Sequence, residues 1–186
     1  MKNKGFVVLA LVASLAFIAG SVWADGPTKD EMVKAAEEAG VSINSDNIAT
    51  ASTDDGASVT AATLRGYEKV APANLARGTD VGFVHLDAPD AGIPAGFYRL
   101  RASADPSDVK VGRFDASVDI IDGDGKVVAT VPASAQASSL AVPDPLPFPR
   151  TVLETTAAGG GAQERHTIII IIICPNGLII IIWISW

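Results

Sequence analysis

Phe114-Asp115-Ala116-Ser117-Val118-Asp119-Ile120 is followed by Asp122-Gly123-Asp124-Gly125 and then Lys126-Val127-Val128-Ala129-Thr130-Val131. Side chains alternate across a strand with period two, so Phe114, Ala116, Val118 and Ile120 share one face and Asp115, Ser117 and Asp119 the other. Asp-Gly pairs between two β-prone runs are a hairpin turn signal. This segment therefore reads as a half-buried antiparallel hairpin.

Working upstream, Tyr98, Leu100 and Ala102 alternate with Arg99 and Arg101, which gives a strand with one basic face. Residues 79–86 form another, with Val81 and Phe83 on one side and Val84 and Leu86 on the other. Residues 58–64 and 135–142 are further strands. Turn clusters at Ala88-Pro89-Asp90-Ala91-Gly92, Ile93-Pro94-Ala95-Gly96 and Asp105-Pro106-Ser107-Asp108 separate them. Short strands divided by turns, with no helical period, indicate an antiparallel sandwich.

The pattern Ile93-Pro94-Ala95-Gly96-Phe97-Tyr98-Arg99-Leu100-Arg101, followed by the Asp-Gly-Lys-Val-Val hairpin, resembles bacterial immunoglobulin-like or fibronectin-like modules over residues 64–142. No Cys or Trp lies in that stretch, so the disulfide and core tryptophan of antibody domains are missing. The resemblance implies an immunoglobulin-like sandwich architecture and carries over no catalytic residue.

The rest of the chain arranges itself around this middle. Residues 1–24 read as a signal peptide: Lys2 and Lys4 start it, an apolar run covers 6–19, and Val22-Trp23-Ala24 offers a cleavage site. Residues 25–56 hold a short helix and a polar linker. The helix is expected over 29–39 from the capping box Thr28-Lys29-Asp30-Glu31 and from Gly40 as its left-handed stop. The linker, 41–56, is rich in Ser, Asn, Asp and Thr. The sandwich occupies 57–142. A spacer with proline at every second position from Pro143 to Pro149 leads into a glycine-rich linker ending at 162, and 151–154 could add a strand.

Residues 163–186 form an apolar tail with two isoleucine runs flanking Cys174-Pro175-Asn176-Gly177. Three readings compete. Residues 167–186 are long enough for a membrane segment, although Pro175 and Gly177 interrupt it. β-branched runs around Pro-Asn-Gly are equally a hairpin, which would need cover on both of its apolar faces. A shifted reading frame through a histidine-tag repeat also encodes polyisoleucine.

The 186 residues carry a formal charge of −7, with 48% hydrophobic and 19% charged residues and one cysteine. Loss of Lys2 and Lys4 would make the mature chain more acidic still. Such a balance excludes non-specific nucleic-acid binding, and one cysteine excludes an internal disulfide. Asp122 and Asp124 fail as a calcium loop, because Ile120 and Val131 fall where its first and twelfth ligands belong. His85 has Asp87 two residues on but no cysteine near it, so it reads as a strand residue rather than a zinc ligand. Arg65, Arg99 and Arg101 form either a basic patch or cross-strand pairs with Asp115 and Asp119. Cys174, inside the apolar tail, is inert.

No residue set qualifies as catalytic, cofactor-binding or metal-binding. The sequence thus suggests an exported, non-enzymatic structural or binding module of the cell envelope, periplasmic or extracellular, with a protein or envelope component as partner. Oligomerisation and membrane contact through 167–186 fit this reading. Two alternatives stand beside it: a surface-polymer subunit joined through its tail by strand addition, and a hydrolase using Asp87, Asp115 or Asp119.

Overall fold

The computed structural model describes residues 26–67, 70–140, 150–158, 165–173 and 178–186, with backbone alone for 150–158, 165 and 173. The expected signal peptide, the proline spacer 143–149, the linker residues 159–162 and residues 174–177 lie outside the described residues; residues 157–158, expected in the linker, end a strand.

The chain is mainly β. Among the described residues one α-helix, α1 (Lys29–Glu38), precedes nine strands: β1 (Ala49–Ser52), β2 (Ser58–Thr63), β3 (Thr79–Ala88), β4 (Ile93–Ser103), β5 (Gly112–Ile121), β6 (Val127–Ala137), β7 (Arg150–Ala158), β8 (Arg165–Ile173) and β9 (Leu178–Ser185), with short 3-10 helices at Pro72–Arg77 and Pro89–Ala91. All nine belong to a single antiparallel sheet in the order β1-β2-β3-β4-β5-β6-β9-β8-β7. The sheet curls so far that its edge strands, β1 and β7, lie beside each other. This departs from the expected pair of stacked sheets. A sandwich needs a second sheet to cover the apolar face of the first; here the sheet bends around its own apolar face, and the isoleucine tail supplies two of the enclosing strands.

Register explains the filling. Val84 stands opposite Tyr98, Leu100 opposite Ile120, Phe114 opposite Ala135, Ala135 opposite Ile180 and Ile180 opposite Ile172. Residues directly opposite in an antiparallel pair face the same way, and all of these are buried. They form one inward face. At Gly82 a Cβ would meet the Ala62 carbonyl and the Ile172 Cδ1 at 3.3 Å each, so glycine permits the Ile172 side chain of β8 to reach β3 across the interior.

The tail is a hairpin. Ile168, Ile170 and Ile172 on β8, with Leu178, Ile180, Ile182 and Ile184 on β9, are all 2% exposed or less. At roughly 1.5–3 kcal/mol for each buried aliphatic side chain, these seven are a main part of the hydrophobic stabilisation. The other face (Ile169, Ile171, Ile179, Ile181 and Trp183) is only half-buried. Among the described residues no helix is long and apolar enough to cross a membrane.

Several local expectations hold. The β5–β6 hairpin keeps its register from Gly112↔Ala137 to Ile120↔Ala129 and shifts by one residue to Ile121↔Val127 beside the Asp122–Gly125 turn. Helix α1 has the full capping box, Thr28 N donating to Glu31 Oε2 at 2.8 Å and Glu31 N to Thr28 Oγ1 at 3.3 Å. Gly40 follows with φ +73°. Tyr98, Leu100 and Ala102 face inward, and Phe83 is separated from Val84 and Leu86 as expected.

Other expectations need correction. The 41–56 stretch contains β1, held to β2 by its ladder and by a Thr50–Thr60 hydroxyl contact of 3.1 Å, and Ile43 bridges to Leu64. Composition hid this strand because its inward residues, Ala49 and Ala51, are small. Ile93-Pro94-Ala95-Gly96 opens β4 instead of forming a turn; the irregular register between Leu86 and Ala88 absorbs Pro94, whose carbonyl accepts the Tyr98 hydroxyl. Of the strand expected at 135–142, residues 135–137 are the end of β6, which runs through Pro132; residues 138–140 lie past the strand, and 141–142 lie outside the described residues. Residues 151–154 fall within β7.

Candidate functional site: a cleft under α1

The outer face of β3 and β4 carries Phe83 opposite Arg99 and His85 opposite Phe97. Helix α1 lies over this face. Its Met32 and Ala36 are buried in the same apolar cluster as Phe83. Ala35, Glu38 and Ala39 instead overhang a cleft of 230 Å³ whose other lining residues are Phe83, Phe97, Arg99, Ile121, Asp122 and Gly123. A second, 450 Å³ depression shares Ala35, Glu38 and Phe97 with it and continues along the helix to His85, Lys34, Glu31 and Pro27.

The floor is aromatic. Phe83 and Phe97 stack with centroids 6.0 Å apart and planes at 10°, and His85 meets Phe97 edge-on at 4.8 Å. The His85 Nδ1 is buried and has no hydrogen-bond partner among the described residues. Burial holds its pKa below the ordinary histidine value, while the nearby charges of Asp87 and Glu31 pull the other way. Neutral imidazole is therefore the favoured form here. Glu31 is held below its usual range by the Thr28 backbone and hydroxyl bonds of the capping box.

One lip of the cleft is the β5–β6 turn. Asp122 Oδ1 accepts from Asp124 N at 3.0 Å and Lys126 N at 2.9 Å, so the Asp-Gly-Asp-Gly run is used as a turn. Among the described residues no group of three His, Cys, Asp or Glu is arranged to hold a metal ion.

The three arginines do not gather. Arg99 and Arg101 share Asp80, at 3.5 Å and 2.7 Å, and this partner holds the Arg101 guanidinium above its usual pKa. Arg65 donates instead to the Ile43 carbonyl at 3.0 Å. Arg101 stands between Asp80 on β3 and the expected Asp119 on β5; Asp80 makes the ion pair, while Asp119 accepts a hydrogen bond from Thr130 at 2.6 Å and acts on Arg101 through its charge. Asp87, Asp115 and Asp119 are likewise spread out. Asp119 lies level with Asp80 through Arg101, Asp87 is seven positions further along β3, and Asp115 lies in the opposite direction on β5. At about 3.3 Å per residue, Asp87 and Asp119 are on the order of 20 Å apart along the strands.

A second polar cluster ties the tail to the β1–β2 turn. Trp186 Nε1 donates to Asp55 Oδ2 at 3.1 Å, His166 Nε2 lies 3.7 Å from the same oxygen, and the His166 and Trp186 rings stack at 6.0 Å. Asp55 is held below its normal pKa first by the Thr53 hydroxyl, then by Trp186, the Ala57 amide and His166, against the effect of burial. Sequence reasoning passed over Asp55, Trp186, Glu38 and Phe83 as site residues. The 31-34/35-38 spacing on one face of α1 was the only local signal for the cleft wall; the Asp55 contact spans 131 residues and has none.

Comparison with protein families, with curated proteins and with solved structures finds no match to this chain.

Proposed function

We propose that this is an exported, non-catalytic module of the cell envelope that binds its partner in the cleft between α1 and the β3–β4 face. The observation carrying the binding role is that cleft: beside α1 the ring of Phe97 stays partly exposed, stacked on a buried Phe83. Export is supported by the basic start, the apolar run and Val22-Trp23-Ala24. Intact mass of protein recovered from outside the cytoplasm should correspond to a chain beginning at Asp25. Recovery of the uncleaved chain, and only in the cytoplasm, would overturn the export reading.

A second reading, a surface-polymer subunit, is favoured by the half-buried outer row Ile169, Ile171, Ile179, Ile181 and Trp183. A contiguous, partly accessible apolar row of this kind suits association with another copy. Concentration-dependent assembly in sedimentation velocity, abolished by Ile181→Asp, is the result this reading requires.

A further inference from the structure

Resting on the binding-module reading, we propose that the α1 cleft takes a cationic amphipath: an apolar stem lying on Phe97, with an ammonium or guanidinium group near Glu38 and Asp122. The shared chemistry is that of a lysine or arginine side chain on a partner polypeptide and of a free aliphatic amine.

Shape and charge both point this way. The floor and walls offer the partly exposed Phe97, Ala35 and Ala39 to a stem, with Phe83 and Ile121 buried behind them. The charged lining is Glu31, Glu38 and Asp122 against Lys34 and Arg99. Arg99 is already paired with Asp80, which does not line the cleft. Lys34 reaches Glu38 only at 3.9 Å, with both side chains largely exposed, and such a pair holds Glu38 weakly. Carboxylate is thus in excess beside an aromatic face, the arrangement that attracts a cation by both its charge and its ring quadrupole. An anionic ligand would meet the same carboxylates and the chain's overall charge of −7.

The test uses the whole mature chain, labelled with nitrogen-15, and three probes of equal stem length: hexylammonium, hexanol and hexanoate. Hexylammonium should move the amide signals of residues 34–39, 97–99 and 121–123, hexanol should do so more weakly, and hexanoate should not. Glu38→Gln, a solvent-facing helix change, should weaken hexylammonium roughly three- to fivefold, and Phe97→Leu should do the same with the charges intact. Equal binding of hexanol and hexylammonium in the cleft, or no effect of Glu38→Gln, overturns the cationic assignment and leaves the binding-module reading standing. No shift with any of the three probes removes both. Comparison of hexylammonium with a blocked Ala-Lys-Ala peptide separates the sources: tighter peptide binding supports a polypeptide partner, and tighter amine binding supports a small molecule.

Discussion

At the residue scale, two side chains make the fold sensitive to pH in different ranges. His85 sits on the outer face of β3 beneath α1 with a buried Nδ1 that has no hydrogen-bond partner among the described residues, and burial depresses its pKa. A histidine depressed in the folded state contributes stability that is complete above the unfolded value of about 6.5 and is lost as pH falls through the folded value. The urea midpoint of the native chain should therefore drop as pH falls below about 6.5. His85→Gln, which cannot ionise, should flatten that part of the profile; an unchanged slope in the variant would assign the effect elsewhere. Asp55 acts lower. Its depressed carboxyl adds stability above the ordinary carboxylate range, lost as pH falls through the folded value. Trp186 donates directly to it, so indole fluorescence should change in the same acidic window, and Asp55→Asn should remove that transition. Neither behaviour was visible in the sequence. His85 could be placed on a strand by alternation, but its missing partner depends on a helix more than 40 residues earlier, and Asp55 looked like one acidic turn residue among several.

At the element scale, legibility followed the range of the forces involved. The β5–β6 hairpin and the capping box of α1 are set by interactions a few residues apart, and both appear where the pattern places them. β1 did not announce itself, because four residues of Ala, Thr and Ser become a strand only when β2 offers a ladder. The opening of β4 was obscured by proline chemistry that usually marks turns but is accommodated at a register irregularity. Of the cleft, the floor residues Phe97 and His85 were legible as strand positions, whereas the roof was not, since the weak apolar stripe of α1 gave no direction for its docking. That roof depends on its cap. Thr28→Ala removes the hydroxyl that accepts from Glu31 N and the partner of Glu31 Oε2. Loss of such a cap costs about 1 kcal/mol. Hydrogen exchange of the amides in 29–38 should accelerate several-fold while β5 and β6 amides keep their protection; uniform loss across the sheet would mean that α1 and the sheet open as one unit.

At the scale of the whole molecule, the tail decides whether the sheet has an inside. Strands β2–β6 present Val59, Ala61, Leu86, Leu100, Val118, Ile120 and Ala135 to a common interior. Among the described residues, β8 and β9 supply six of the twelve largest fully buried side chains. On β6 the inward row is Ala133, Ala135 and Ala137, paired directly with Ile182, Ile180 and Leu178, so large residues on one strand compensate for small residues on the next. A uniform isoleucine run conceals this division, since its sequence has no alternation to read; only the curl of the sheet makes one face an interior and the other a surface. Neighbouring isoleucines should therefore respond unequally. Ile180 is 0% exposed between Ala135 and Ile172, and Ile180→Ala leaves a cavity that the alanine row cannot fill, at a cost of about 2–5 kcal/mol. Ile181, half-buried opposite Ser134 and Ile171, loses partial contacts to solvent, and Ile181→Ala should cost about 1 kcal/mol or less. Urea unfolding of the two variants measures the contrast directly. Equal and small losses would mean that the hairpin does not belong to the cooperative core, and equal and large losses would mean that its outer face is covered as completely as its inner one.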